Sequence, residues 1–333
     1  MFIVYHYAVA VIFCVVTMLC WGSWGNTQKL AQRNWRYEYF YWDYVIGVLL
    51  FSLLGALTLG SIGSEGRSFF TDLQQATCTN LALAFTGGIV FNAANILLAG
   101  AISICGMAVA FPVGIGLALV LGVLINYIGA SKGDPLLLFA GAAFITLAIV
   151  FSGLAYRSAA RQHTRLPAKG LLLSILAGII MSCFYRFIAA AMDMDNFAQP
   201  APGKMTPYTA LFIFAVGVLV SNFPFSFIAR SKPVSGTHIP LMAYFKGSAK
   251  SHLVGIAGGC IWCLGTLFSL LASAKAGAAI SYGLGQGATL VSALWGIFVW
   301  KEFDGAPPAA RRFNVAMFFM FLIGLGLLIY AGK

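Results

Sequence analysis

Gly87-Gly-Ile-Val-Phe-Asn92-Ala-Ala-Asn95-Ile-Leu-Leu-Ala-Gly-Ala-Ile-Ser-Ile-Cys-Gly106-Met-Ala-Val-Ala-Phe-Pro-Val-Gly114-Ile-Gly116-Leu-Ala-Leu-Val120 decides the fold, because a version of it occurs twice. Shifted by 171 residues and without a gap, it meets Gly258-Gly-Cys-Ile-Trp262-Cys-Leu-Gly-Thr266-Leu-Phe-Ser-Leu-Leu-Ala-Ser-Ala-Lys-Ala-Gly277-Ala-Ala-Ile-Ser-Tyr-Gly-Leu-Gly285-Gln286-Gly287-Ala-Thr-Leu-Val291. Nine of the 34 aligned positions are identical, and the glycines among them stay in register on both sides of a turn with almost no loop. Each copy holds two apolar stretches, and each stretch is long enough for a membrane helix of about 20 residues.

Outward from this pair, the chain holds ten such stretches: 7–29, 42–62, 80–104, 107–129, 135–156, 168–191, 207–229, 252–274, 277–299 and 312–331. Backbone groups in lipid must be satisfied within each segment, and no run alternates as a strand would, so all ten are expected to be helices. The repeated pair is spans 3–4 and then 8–9, so the chain divides into five spans plus five, at 1–160 and 161–333. Because five is odd, the second half enters the membrane upside down. This is the inverted repeat common among secondary transporters, which places a solute site near the midplane.

Composition agrees with this. Of 333 residues, 60% are hydrophobic and 9% charged, against roughly 25% charged in soluble domains. That excludes a soluble enzyme, a disordered chain and a nucleic-acid reader. The net charge of +11 has a different meaning in a membrane protein, where Lys and Arg collect in cytoplasmic loops. Lys29, Arg33, Arg36, Arg157, Arg161, Arg165, Lys169, Arg230, Lys232, Lys246, Lys250, Lys301, Arg311 and Arg312 fall on one side. Arg67, Lys132, Lys204, Lys275 and Lys333 fall on the other. The first set is expected in the cytoplasm, with both termini outside. The first span lacks a basic start and a cleavage site and is expected to be retained.

The repeated segments, with Ser292-Ala-Leu-Trp295-Gly-Ile-Phe-Val-Trp-Lys-Glu302 after them, resemble the glucose/ribose porter family of the drug/metabolite transporter superfamily. In the first half, Tyr41-Trp-Asp43-Tyr44 and Gly87 to Asn95 also resemble the related ureide permeases. Thr266 stands where the sugar porters tend to carry an Asn. The resemblance implies a secondary transporter in the cytoplasmic membrane, working by alternating access on a small neutral polar solute. A monosaccharide is the leading expectation, with a ureide, nucleobase or nucleoside as the alternative. The protein is expected to act as a monomer or homodimer.

Polar residues inside a bilayer are costly and are site candidates by default. Asn92 and Asn95 lie one turn apart in span 3, and Gln286 sits mid-span 9 between two glycines. Their amides suit hydroxyls or a ureide carbonyl; bonding between helices would also account for them. Trp21, Trp24 and Trp262 lie deeper than the interfacial belt and offer flat faces to a solute. Arg186 is the one basic residue well inside a span, and either binds solute or snorkels to the surface. Asp43 and Glu302, both peripheral, are the carboxylate candidates for coupling transport to a proton or sodium ion; a facilitator without coupling is the alternative. Cys260 and Cys263 lack the His, Asp or Glu that a metal site needs, so no metal or cofactor is expected. Nor does the chain carry a phosphate loop, a Gly-x-Ser-x-Gly elbow or a His-Glu-x-x-His motif. His6, His163, His238 and His252 lie in loops or at span ends, away from any nucleophile, so no enzyme is expected.

Overall fold

Pro135, Pro207 and Pro308 each open a helix, as a residue lacking an N–H can do at no cost in hydrogen bonds. The computed structural model describes residues 1–31, 35–105, 107–159, 168–231 and 240–333. The expected boundary at 160/161, Gly106 of the repeat, His163, His238, and the loop residues Arg33, Arg161, Arg165 and Lys232 lie outside the described residues.

Regular structure among the described residues is helical apart from one isolated bridge, Met192 to Met205. Nine of these helices are long and apolar enough to cross a membrane: α1 Tyr7–Leu30, α2 Tyr37–Leu57, α3 beginning at Cys78, α5 Pro135–Ala159, α6 Ala168–Ala190, α7 Pro207–Ser231, α8 Ala249–Ala276, α9 Ala278–Val299 and α10 Pro308–Ala331. Between the third and fifth comes α4, Met107–Gly129, apolar from Val113 onward. The protein is a multi-pass, all-helical membrane protein. Span 2 starts five residues earlier than the hydropathy suggests. Its aromatic opening, Tyr37 to Tyr44, is helical and mostly buried rather than a loop.

Two helices are interrupted. α6 breaks at Ser182-Cys183, between Ala168–Met181 and Phe184–Ala190. α9 breaks at Gln286-Gly287, and after Ala288–Leu294 it ends in a π turn over Trp295–Val299. Short π stretches and broken spans free backbone groups that only a protein-lined interior tolerates.

Close helix crossings set the packing. α2 packs on α8, and α7 packs on α3. A methyl group at Gly259 of α8 would lie 2.8 Å from the Val48 nitrogen of α2. At Gly88 of α3 it would lie 2.8 Å from the Val218 nitrogen of α7. In the opposite sense, the carbonyls of Ile256 and Phe85 press on Gly47 and Gly217. Small residues permit this approach where no hydrophobic force separates helix from lipid. α5 and α10 form a further pair. There Gly141 and Gly324 each face the other's carbonyl oxygen, 2.9 Å from the place of a side chain.

Candidate solute site

Between these pairs lies a cavity of about 460 Å³. Its mouth is at the helix ends carrying Lys29, Glu38, Tyr156, Trp300 and Glu302, and its floor is formed by Trp21, Phe91, Phe184, Trp262 and Gln286. Of the nine residues singled out from sequence, it gathers six: Trp21, Trp24, Asn95, Trp262, Gln286 and Glu302.

The floor is aromatic and layered. The rings of Trp21 and Trp262 are 6.2 Å apart and within 11° of parallel. Phe91 stacks on Trp262 at 4.4 Å. Trp21 occupies a slot between two glycines: a side chain at Gly285 or Gly265 would come within 2.7 or 2.8 Å of Trp21 or its neighbour Cys20. Its indole N–H donates to Thr266 Oγ1 at 3.1 Å, and that hydroxyl donates to the Trp262 carbonyl at 3.1 Å. One buried hydroxyl therefore ties the two indoles together.

The amides play different parts. Asn95 faces the cavity, and its Nδ2 donates to the Tyr41 hydroxyl at 3.2 Å. The Tyr41 hydroxyl in turn donates to Asn92 Oδ1 at 2.8 Å, and Asn92 Nδ2 donates to Ser221 Oγ at 2.9 Å and to the Val218 carbonyl at 3.2 Å. Asn92 is thus consumed by interhelical bonds and lies behind the cavity wall. Gln286, at the break in α9, lines the floor, and its side-chain amide has no partner among the described residues. Tyr41, Phe91 and Phe184 line the cavity without having been singled out. Phe91 had a signal, since it meets Trp262 in the 171-residue register.

Glu302 stands at the mouth, already engaged. It accepts from Lys29 at 2.6 Å and from the Tyr156 hydroxyl at 3.1 Å. Lys29 also lies over the Trp300 ring, and Trp300 and Trp295 donate to Asn26 and Ser23. The Trp295 to Glu302 motif thus fastens the end of α9 to the end of α1.

Two further residues fall outside the cavity. Asp43 is buried between α2 and α8, where its Oδ1 pairs with His252 Nδ1 at 2.8 Å and accepts from the Tyr244 hydroxyl at 2.6 Å. Burial first, and the Asp43 carboxylate second, raise the Tyr244 hydroxyl above its ordinary pKa, so it stays a donor. Arg186 lies toward the C-terminal end of α6 against Gly129 of α4, half-buried, with no ion pair among the described residues. Its place near the helix end lets the guanidinium reach past the apolar layer.

The sequence profile of the ureide permease family matches residues 40–169 and 165–331, nearly the whole chain. The chain belongs to the ureide permease family. Two similar curated proteins, both from Arabidopsis thaliana, are Ureide permease 1, 24% identical, and Ureide permease 2, 23% identical; in each case 96% of this chain and 96% of the relative are covered. A solved crystal structure superposes with a TM-score of 0.60 at 12% identity, covering 95% of this chain and 96% of that one. The protein is therefore a membrane transporter of small polar solutes and not an enzyme. Of the two resemblances in the sequence, these relatives carry the ureide permease one rather than the sugar porter one, and the order of the two solute expectations reverses.

Proposed function

We propose that this permease carries a neutral, planar ureide or a related cyclic amide such as a nucleobase. The observation that carries this reading is the pairing of stacked aromatic planes with two uncommitted amide functions in one cavity. The Trp21, Trp262 and Phe91 planes cover a flat ring. Gln286 and the Asn95 carbonyl supply a donor and acceptor for ring N–H and C=O groups. Lys29, the one cation among the described residues that line the cavity, is neutralised by Glu302. A solute with its own charge would enter without a counter-ion and pay for desolvation.

The mechanism we propose is alternating access between two inverted five-helix halves, 1–160 and 161–333, in the cytoplasmic membrane. What supports the two halves is the matched pair of crossings, Gly259 on Val48 and Gly88 on Val218, with Gly47 and Gly217 repeating the correspondence. The cavity mouth opens on the Lys- and Arg-rich side, which the charge bias assigns to the cytoplasm with both termini outside. The conformation is then inward-facing.

Uptake by proteoliposomes of radiolabelled hydantoin, uracil, uridine, glucose and ribose tests the reading. Uptake of hydantoin and uracil, with the sugars excluded, is the expected result. Uptake of the sugars alone would return the protein to the monosaccharide reading.

A further inference from the structure

Beneath the cavity floor, away from the mouth, the core of the protein is not uniformly apolar. On α8, Thr266, Ser269 and Ser273 follow at three- and four-residue spacing and share one face. Each is almost wholly buried. Ser269 Oγ lies 3.0 Å from the hydroxyl of Tyr185 on α6 and 3.0 Å from Ser281 Oγ on α9. Ser281 donates to the Ser269 carbonyl at 2.7 Å, and Cys14 Sγ of α1 donates to Ser281 Oγ at 3.7 Å. Four helices therefore meet around one hydroxyl cluster on the closed side of the molecule. Such hydroxyls bond helix to helix in a membrane core.

The 171-residue register gives this cluster a meaning. Three residues of α3 that line the open cavity are Asn95, Leu98 and Ile102. Their counterparts on α8 are Thr266, Ser269 and Ser273. Phe91 and Trp262, which stack on each other at the floor, are themselves counterparts, so the register turns over at that contact. From Phe91, α3 runs along the open side; from Trp262, α8 runs along the closed side.

We propose that the face of α8 carrying Thr266, Ser269 and Ser273 is the wall of the outward-open cavity, and that its contacts with Tyr185 and Ser281, and through Ser281 with Cys14, form the closed outer gate. This rests on the two-half, alternating-access reading above. When α8 exchanges roles with α3, the cluster separates and its hydroxyls face water and then the solute, offering hydrogen bonds to the same ureide or cyclic amide. Leucines there would expose apolar surface instead. Tyr185 is the plug, since its hydroxyl closes directly on Ser269.

Thiol labelling from outside tests this in proteoliposomes or whole cells. Ser269→Cys, Ser273→Cys and Ala272→Cys are placed one at a time in a chain whose seven cysteines are replaced. A membrane-impermeant maleimide is then applied from the outer face. Ala272 sits at the same depth but corresponds to Ala101, which does not line the cavity. Labelling of positions 269 and 273 but not 272, with loss of hydantoin uptake on labelling, is expected. Equal labelling of all three, or of none while uptake persists, overturns the proposal. Absence of uptake of every solute by the unsubstituted protein would instead reject the transport reading on which it rests. If the cysteine-free chain does not fold, the native chain gives a second readout by mass spectrometry. Cys14, at the gate, is modified from outside, whereas Cys263, corresponding to Asn92 behind the wall, is not. An unmodified Cys14 in an actively transporting protein overturns the proposal.

Discussion

Replacing Asn95 by Ala should weaken solute binding without weakening the fold, and replacing Asn92 by Ala should do the reverse. The two amides are one helical turn apart and share Tyr41, yet their surroundings differ. Asn95 spends its Nδ2 on the Tyr41 hydroxyl and turns toward the cavity. Truncating it leaves Tyr41 still donating to Asn92 at 2.8 Å, so no buried donor is orphaned. The loss falls on the solute, which forfeits one desolvated hydrogen bond, about 1–3 kcal/mol. That is roughly 5- to 150-fold in Kd. Truncating Asn92 removes the acceptor for the Tyr41 hydroxyl and the donor to Ser221 inside a sealed interface. There the cost of about 1–3 kcal/mol appears in stability. Tryptophan fluorescence titration of purified protein with hydantoin reads the first quantity, and the unfolding midpoint by differential scanning fluorimetry reads the second. Unchanged Kd in Asn95→Ala, together with lost affinity and an unchanged midpoint in Asn92→Ala, would refute the assignment of the two roles.

Other perturbations separate site from scaffold in the same way. Gln286→Leu keeps the side-chain size, removes both hydrogen-bonding functions from the cavity floor, and should raise Kd about 5- to 150-fold by the same accounting, with expression unaffected; direct titration checks it. Gly259→Val forces branched carbons into the Tyr44–Val48 backbone of α2; overpacking costs about 1–3 kcal/mol or more, and a sharp fall in folded yield by size-exclusion chromatography is expected. Asp43→Ala strands the Tyr244 hydroxyl and the His252 ring nitrogen; the unfolding midpoint should fall while the Kd for hydantoin holds, because Asp43 lies outside the cavity.

Much of the architecture was legible because lipid leaves few alternatives. An apolar stretch of about 20 residues has to be a helix, and the described helices fall where hydropathy puts them. The start of α2 was misplaced because Tyr37, Glu38 and Tyr41 score as interfacial although they line the cavity. The short helix Phe69–Gln75 was missed because seven residues carry no usable period; it is anchored by the Asp72 carboxylate, which pairs with Arg67 at 2.8 Å and accepts the Thr206 N–H at 2.7 Å. Within the site, spacing brought out Asn92 and Asn95 together, but only the partners Tyr41 and Ser221 decide which amide is spent. Arg186 drew attention as a charge inside a span, yet α6 breaks at Cys183 and ends at Ala190, so the residue stands close to a helix end. Tyr41 stood out only as part of a family motif, and Phe184 was unremarkable in a chain with 28 Phe.

We propose above all that stacked indoles, the Gln286 amide and the Asn95 carbonyl form a site for a planar cyclic amide. Isothermal titration of the purified wild-type protein and of Trp262→Ala with hydantoin, uracil and glucose tests it most directly. Saturable binding of hydantoin and uracil to the wild type, lost in Trp262→Ala, with no heat from glucose, is the predicted result. Binding of glucose in place of the planar rings, or binding of hydantoin unaffected by loss of the indole, would contradict it.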